Sequence, residues 1–227
     1  MRQAPPPDDY RGRANCRTLP SGSNLWRVHQ QKYDAAAFND HPVDPYFGGG
    51  RFDATADDPY PFMYAALTES TALAEILLRD LPFPSGRPRV IKRSSVARRQ
   101  ISLVETTIDM TLISLVTGPD LATVRQDAWL VHSDVSDYPL TRRWARSLRL
   151  QCQWAQGLIW TSRRDLPQVS MVLFGDRCPP GALRVSDKSG INLDDEPGAA
   201  YLNLALEAYA VHVYPPRSEG PGECRSG

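Results

Sequence analysis

The sequence lacks any surplus of charge. Its 26 basic and 26 acidic residues cancel, so no whole-molecule field draws it to nucleic acid or to an anionic membrane. Any recognition of an anion must be local. Lysine is scarce: Lys32, Lys92 and Lys188 are three of the 26 basic residues, which leaves 23 arginines. That bias suits forked contacts to anions but more often reflects genome composition. No hydrophobic run approaches the ~20 residues that span a bilayer. The opening "MRQAPPPDDYRGR" has no apolar stretch of the kind a secretion signal carries. Cysteine is sparse as well. Cys16, Cys152, Cys178 and Cys224 are scattered and form no CxxC pair, the pattern of reduced thiols in a soluble, cytoplasmic protein.

Further absences narrow the chemistry. His29, His41, His132 and His212 show no HExxH or other paired-ligand spacing, so no metal site is expected. Neither GxxxxGK[ST] nor a GxGxxG after a strand occurs, which excludes nucleotide binding of the usual P-loop or Rossmann kind. No GxSxG elbow is present, so a serine hydrolase is not indicated. The basic run "KRSSVARR" reads as a solvated loop rather than a nucleic-acid contact, given the zero net charge.

What is present is enough apolar sequence, 41% of 227 residues, for one globular core. Residues 1–22, rich in Pro, Arg, Gly and Ser, read as a mobile leader, and 216–227 as a similar tail, leaving a single domain over 23–215. Within it "NLWRVHQ" and "FMYAAL" have the apolar and aromatic content of strands, and "RVIKRSSV", "QISLVETTIDM" and "TLISLV", rich in β-branched residues, read as strands or strand fragments. Thr68 is placed to cap the helix "ESTALAEILLRD", which Pro82 stops. "YPLTRRWARSLR" reads as a helix that Thr141 could cap. "GLIWTSRR" and "VSMVLFGD", joined through "DLPQ", form the clearest hairpin, and "AAYLNLALEAYAVHVYPP" a helix running into a last strand. Strands and helices mix without regular βαβ alternation, so the expected class is α+β.

One stretch concentrates chemistry: "GGGRFDATADDPYPFMYAALTESTALAEILLRD", residues 48 to 80. Gly48, Gly49 and Gly50 permit backbone angles closed to other residues and would let Arg51 and backbone N–H groups approach an anion. A surface loop with a solvated arginine fits the same letters. Tyr64 lies in an apolar strand, where an aromatic of the core is equally at home. Glu75 is flanked on the helical wheel by Leu73, Ala74, Ile76, Leu77 and Leu78, leaving a narrow polar stripe shared with Arg79. An i,i+4 Glu75–Arg79 pair on a wet edge is the plain alternative.

Taken together, "LWRVHQQKYDAAAFN", "GGGRFD", "YAALTESTALAE", "YPLTRRWA" and "GLIWTSRR" resemble, in order and spacing, the RES domain family. The resemblance runs over about residues 23 to 180. It implies a single α+β domain with mixed, mostly antiparallel sheets, similar to the fold of ADP-ribosyltransferase toxins. It also implies a toxin of a toxin–antitoxin pair that degrades NAD+ as substrate, with no further cofactor. Its expected partners are a cognate Xre-type antitoxin and other copies of itself. The family's site residues fall on Arg27 in the first strand, Arg51 after the glycines, Tyr64, Glu75 eleven residues later, and Ser162. Thr141 falls where relatives often carry Ser or Thr. The family's "YPS" is replaced here by Trp160 and Thr161 before Ser162, a departure that keeps a non-catalytic NAD-binding module in view.

Loss of nicotinamide leaves positive charge on the ribose, an oxocarbenium-like state akin to that of glycoside cleavage. On the resemblance, Glu75 would face that charge, and Arg27 and Arg51 would hold the diphosphate through forked contacts. Tyr64 would stack on a base and Ser162 would bond to the sugar or carboxamide, while Thr141 would be a further binding residue. Water, phosphate or a protein side chain would then receive the ADP-ribose, making the enzyme a glycohydrolase, a phosphorylase or a mono-ADP-ribosyltransferase.

Overall fold

A computed structural model describes residues 4–187 and 190–216. The strands are β1 (Cys16–Leu19), β2 (Asn24–Gln30), β3 (Phe62–Ala66), β4 (Arg89–Ile91), β5 (Arg99–Thr106), β6 (Met110–Leu115), β7 (Gly157–Thr161), β8 (Val169–Phe174), β9 (Leu183–Val185), β10 (Ile191–Asn192) and β11 (Val211–Val213). The helices are α1 (Glu69–Leu77), α2 (Arg93–Val96), α3 (Gly118–Thr123), α4 (Trp129–His132), α5 (Tyr138–Gln151) and α6 (Glu196–Ala205). Nine strands form one sheet in the order β1-β6-β7-β8-β3-β2-β5-β10, with β9 also paired to β5. Among these pairings β6–β7 is parallel and the others antiparallel. Strands β4 and β11 make a separate parallel pair. The class is the expected one, α+β with a mostly antiparallel sheet.

Side chains alternate across the sheet, and the two faces are packed differently. On one, Trp26, Val28 and Ala66 meet Ala72, Leu73, Ala74 and Leu77 of α1 and Leu202 of α6. Farther along the same face Leu158, Trp160, Val172 and Phe174 meet Trp144, Ala145 and Leu148 of α5, with Phe52 from the glycine loop and Tyr64 against them. The opposite face gathers Leu25, Met63, Ala65, Val104, Ile159 and Met171 beneath Ala35. The faces follow from register: Trp26 sits opposite Ala66, and Tyr64 opposite Val172.

Local rules explain most elements. The side chain of Thr68 accepts the Thr71 N–H at 3.2 Å and caps α1. Hairpin β7–β8 pairs Gly157 with Leu173 and Thr161 with Val169. At Gly157 a Cβ would lie 2.3 Å from the Val172 carbonyl oxygen, so only glycine lets these strands approach.

"RVIKRSSV" holds a strand fragment: β4 ends at Ile91 and Arg93–Val96 form a helical turn. Two expectations are corrected. Thr141 does not cap α5, which begins earlier at Tyr138 with Pro139 in its first turn. Residues read as part of a mobile leader are ordered: β1 pairs with β6, and the buried Tyr10 ring stands 5.0 Å edge-on to Trp144 and donates its hydroxyl to the Val124 carbonyl at 3.1 Å. A pair of aromatics and a strand edge outweigh the local polarity of that segment. The expected tail falls almost wholly outside the described residues.

Candidate active site

Glu75 projects from α1, half-buried. Its carboxylate Oε1 accepts the hydroxyl of Ser162, which lies just past the end of β7 and is fully buried. The Ser162 oxygen in turn accepts the backbone N–H groups of Arg164 and Asp165, each at 3.1 Å. Asp165 Oδ2 accepts the hydroxyl of Thr71 at 2.6 Å. Thr71 and Glu75 are one helical turn apart and face the same way, so the 162–165 loop is tied to α1 at two successive turns. A third tie lies beyond the helix end, where Arg164 Nη2 donates to the Arg79 carbonyl. Glu75 forms no ion pair with Arg79 among the described residues; Arg79 meets Asp80 instead, at 3.4 Å on the surface.

Arg51 reaches this region from the glycine loop. Its guanidinium donates to Ser133 Oγ and to the Ser133 carbonyl, both at 3.2 Å, and lies 5.5 Å over the Tyr138 ring. Arg163 clamps the same 132–134 segment through the His132 carbonyl at 2.8 Å and Asp134 at 2.6 Å. Glu75, Arg51, Arg79, Arg163 and Arg164, with Ser133 and Tyr138, line one narrow cleft of about 30 Å³. A second hollow of about 350 Å³ has apolar walls including Leu115, Val116, Leu121 and Val131, and meets the same stretch of chain at His132 and Thr161.

The glycine loop turns carbonyls as well as amides to the protein, and its Gly50 amide is not open to an anion. Gly48 and Gly49 take positive φ of 65° and 70°, and this turns carbonyls inward. The buried Arg142 of α5 takes the carbonyls of Asp44 at 2.7 Å and Gly50 at 3.1 Å, together with that of Gly48. The Gly50 N–H is occupied by Asp53 Oδ2 at 2.7 Å. Thr141 donates to the Arg51 carbonyl at 2.7 Å, and the Tyr64 hydroxyl accepts the Phe52 N–H at 2.9 Å. The Tyr64 ring stands edge-on to Phe62 and Trp160 at 6.0 and 6.2 Å. Burial, with the Asp53 carboxylate beside it, raises the Tyr64 pKa well above the usual value, and burial likewise raises that of Asp53. Tyr64 and Thr141 therefore brace the loop that presents Arg51.

Arg27 lies elsewhere. It shares the sheet face of Leu25, opposite the one covered by α1, and its Nη1 donates to the Ala35 and Ala37 carbonyls at 2.8 and 2.7 Å. Its Nε is enclosed without a partner, and desolvation lowers its pKa to about 10. Beside it the buried His29 pairs through Nε2 with Ser102 Oγ at 2.9 Å and through Nδ1 with the Gln30 carbonyl at 3.0 Å. Desolvation, with Arg27 adding to it, lowers the His29 pKa to about 4.

Of the six singled-out residues, the structure thus joins Glu75 and Arg51 in the cleft with Ser162 directly behind the carboxylate. It sets Tyr64 and Thr141 behind the loop, and Arg27 on the far face. Sequence reasoning missed Ser133, Tyr138, Arg163 and Arg164. The last two stand in the quoted "GLIWTSRR", directly after Ser162, and that adjacency was the available signal. Among the described residues no group of three or more His, Cys, Asp or Glu is placed to hold a metal.

The RES domain family profile matches residues 24–195. The chain belongs to the RES domain family. This RES domain is similar in structure to a chain in the crystal structure of the M. tuberculosis MbcT–MbcA toxin–antitoxin complex, with a TM-score of 0.57 and 16% sequence identity over 83% of this chain and 91% of that one. At that identity the likeness establishes the fold. No curated protein matches the chain. Within the family match lie all the residues of the cleft, from Arg51 to Arg164. No described helix of this RES domain is long and apolar enough to cross a membrane.

Proposed function

We propose that this RES domain is the toxin of a type II toxin–antitoxin system and arrests growth by cleaving the nicotinamide–ribose bond of NAD+, its substrate. The observation that carries the reading is a carboxylate, Glu75, fixed by a fully buried hydroxyl, Ser162, in a cleft that also holds Arg51.

The chemistry needs a negative group beside a ribose carbon as it turns cationic, and no strong acid to expel nicotinamide, which leaves as a neutral base. Glu75 supplies the charge. Two loop amides held by Ser162 keep that hydroxyl pointed at the carboxylate, so little reorganisation accompanies the step. Ser162 acts through Glu75 and is a positioning residue. The cleft itself is narrow, about 30 Å³, while the neighbouring apolar hollow, at about 350 Å³, sits at the small end of ligand sites, which run from ~300 to ~1,000 Å³. That hollow suits a flat base, and the charged groups around the narrow cleft suit the sugar and diphosphate beside it.

A partner antitoxin of the Xre type belongs to the same reading, since a chain of this fold occurs in a toxin–antitoxin complex. So do a cytoplasmic location and self-association. Incubation of the pure protein with NAD+, with and without inorganic phosphate, is expected to release free nicotinamide. A folded sample that releases none under either condition overturns the reading, and label that ends on protein in a lysate would move it to ADP-ribosyl transfer.

A further inference from the structure

The family pattern supplies two arginines for the diphosphate, and the structure leaves only one of them, Arg51, in the cleft. The missing cation is already there. Four arginines line the cleft with three acids, Glu75, Asp80 and Asp134. Asp134 is paired with Arg163 at 2.6 Å and Asp80 with Arg79 at 3.4 Å, while Glu75 is held by Ser162. Arg51 and Arg164 have no ion pair among the described residues, and both face the space beside Glu75. An arginine left without a counter-ion in a part-buried cleft retains most of its attraction for an anion, because fixed charges there are screened less than on the open surface.

We propose that Arg164, with Arg51, forms the diphosphate grip of this site. The backbone links grip and carboxylate: the Arg164 N–H is bonded to the Ser162 hydroxyl that holds Glu75, and one guanidinium nitrogen is braced on the Arg79 carbonyl. The remaining donors of the fork are left for phosphate oxygens. Arg27, with its Nη1 given to two carbonyls on the far face, holds a loop instead. The inference rests on the proposed function for the identity of the ligand, not for the anion site itself.

Titration of the full chain with ADP-ribose and with inorganic pyrophosphate separates the two. Arg164→Gln is expected to weaken binding of both by about tenfold or more, as loss of a charge-assisted contact does. If NAD+ is turned over, the same variant raises KM with little change in kcat. Arg143→Gln, at an exposed arginine outside this cleft, serves as control and leaves binding unchanged. Equal affinity of parent and Arg164→Gln for both probes, or no binding of either probe by the folded parent, overturns the inference. Arg164-dependent binding of pyrophosphate by a protein that releases no nicotinamide upholds it and removes the NAD+ reading alone.

Discussion

Arg27 and Arg51 both give guanidinium N–H groups to backbone carbonyls, yet their surroundings differ in every respect that matters to a ligand. On the far face Arg27 is spent on Ala35 and Ala37, and beside it His29 and Ser102 satisfy one another out of contact with water. On the helix-covered face Arg51 keeps part of its fork open to a cleft shared with a carboxylate and a second uncompensated arginine. Polar residues buried in pairs hold a fold together. Polar residues converging on a cleft, with charge left over, are placed to bind and react.

The largest effect that would sharpen this contrast is on turnover. Glu75→Gln keeps the shape of the helix face and removes the charge, so nicotinamide release should fall by about 10²–10³-fold with the melting temperature nearly unchanged. A variant as active as the parent would erase the distinction between the faces.

On the other face the expected effects are on stability. His29 has a folded pKa of about 4 against an ordinary 6.5. The unfolded chain therefore takes up a proton as pH falls through 6.5, and the folded chain does so only near 4. Stability should drop across that window by about 3 kcal/mol, and this group adds nothing above pH 7. Urea melts between pH 4 and 7 would show the slope, and His29→Gln should flatten it; an identical slope in both proteins would contradict the account. Arg27→Gln should cost about 2–3 kcal/mol by leaving the Ala35 and Ala37 carbonyls without their charged donor, while KM for NAD+ stays within about twofold of the parent. A large rise in KM with intact stability would return Arg27 to the binding site.

The smallest effect falls between the regions, at the loop. Gly49 has φ of 70°, and a Cβ there would approach Asp53 Oδ2 to 2.8 Å. Gly49→Ala should cost about 1–2 kcal/mol and weaken binding through a displaced Arg51. Calorimetry and the same ADP-ribose titration would register both.

Much of this architecture was legible in the letters. The apolar and aromatic runs "NLWRVHQ" and "FMYAAL", the Thr68 cap and the "GLIWTSRR"/"VSMVLFGD" hairpin obey local rules, and local rules decided them. Tyr10 and β1 were hidden because their order comes from Trp144 and β6, more than 90 residues away. The site divided along the same line. Glu75, Arg51 and Ser162, which the family motif names, come together in the fold. Arg27 was misplaced because a strand residue's face depends on register with β3 and β5, which no single segment encodes. Arg164 was passed over as one more arginine in an arginine-rich chain, since its lack of a counter-ion exists only in three dimensions.

A structure of Glu75→Gln bound to NAD+ tests the central claim most directly. The account predicts the nicotinamide-bearing ribose against residue 75, with the diphosphate between Arg51 and Arg164. A dinucleotide seated against Arg27 and His29 on the opposite face, with the Glu75 cleft empty, would contradict it.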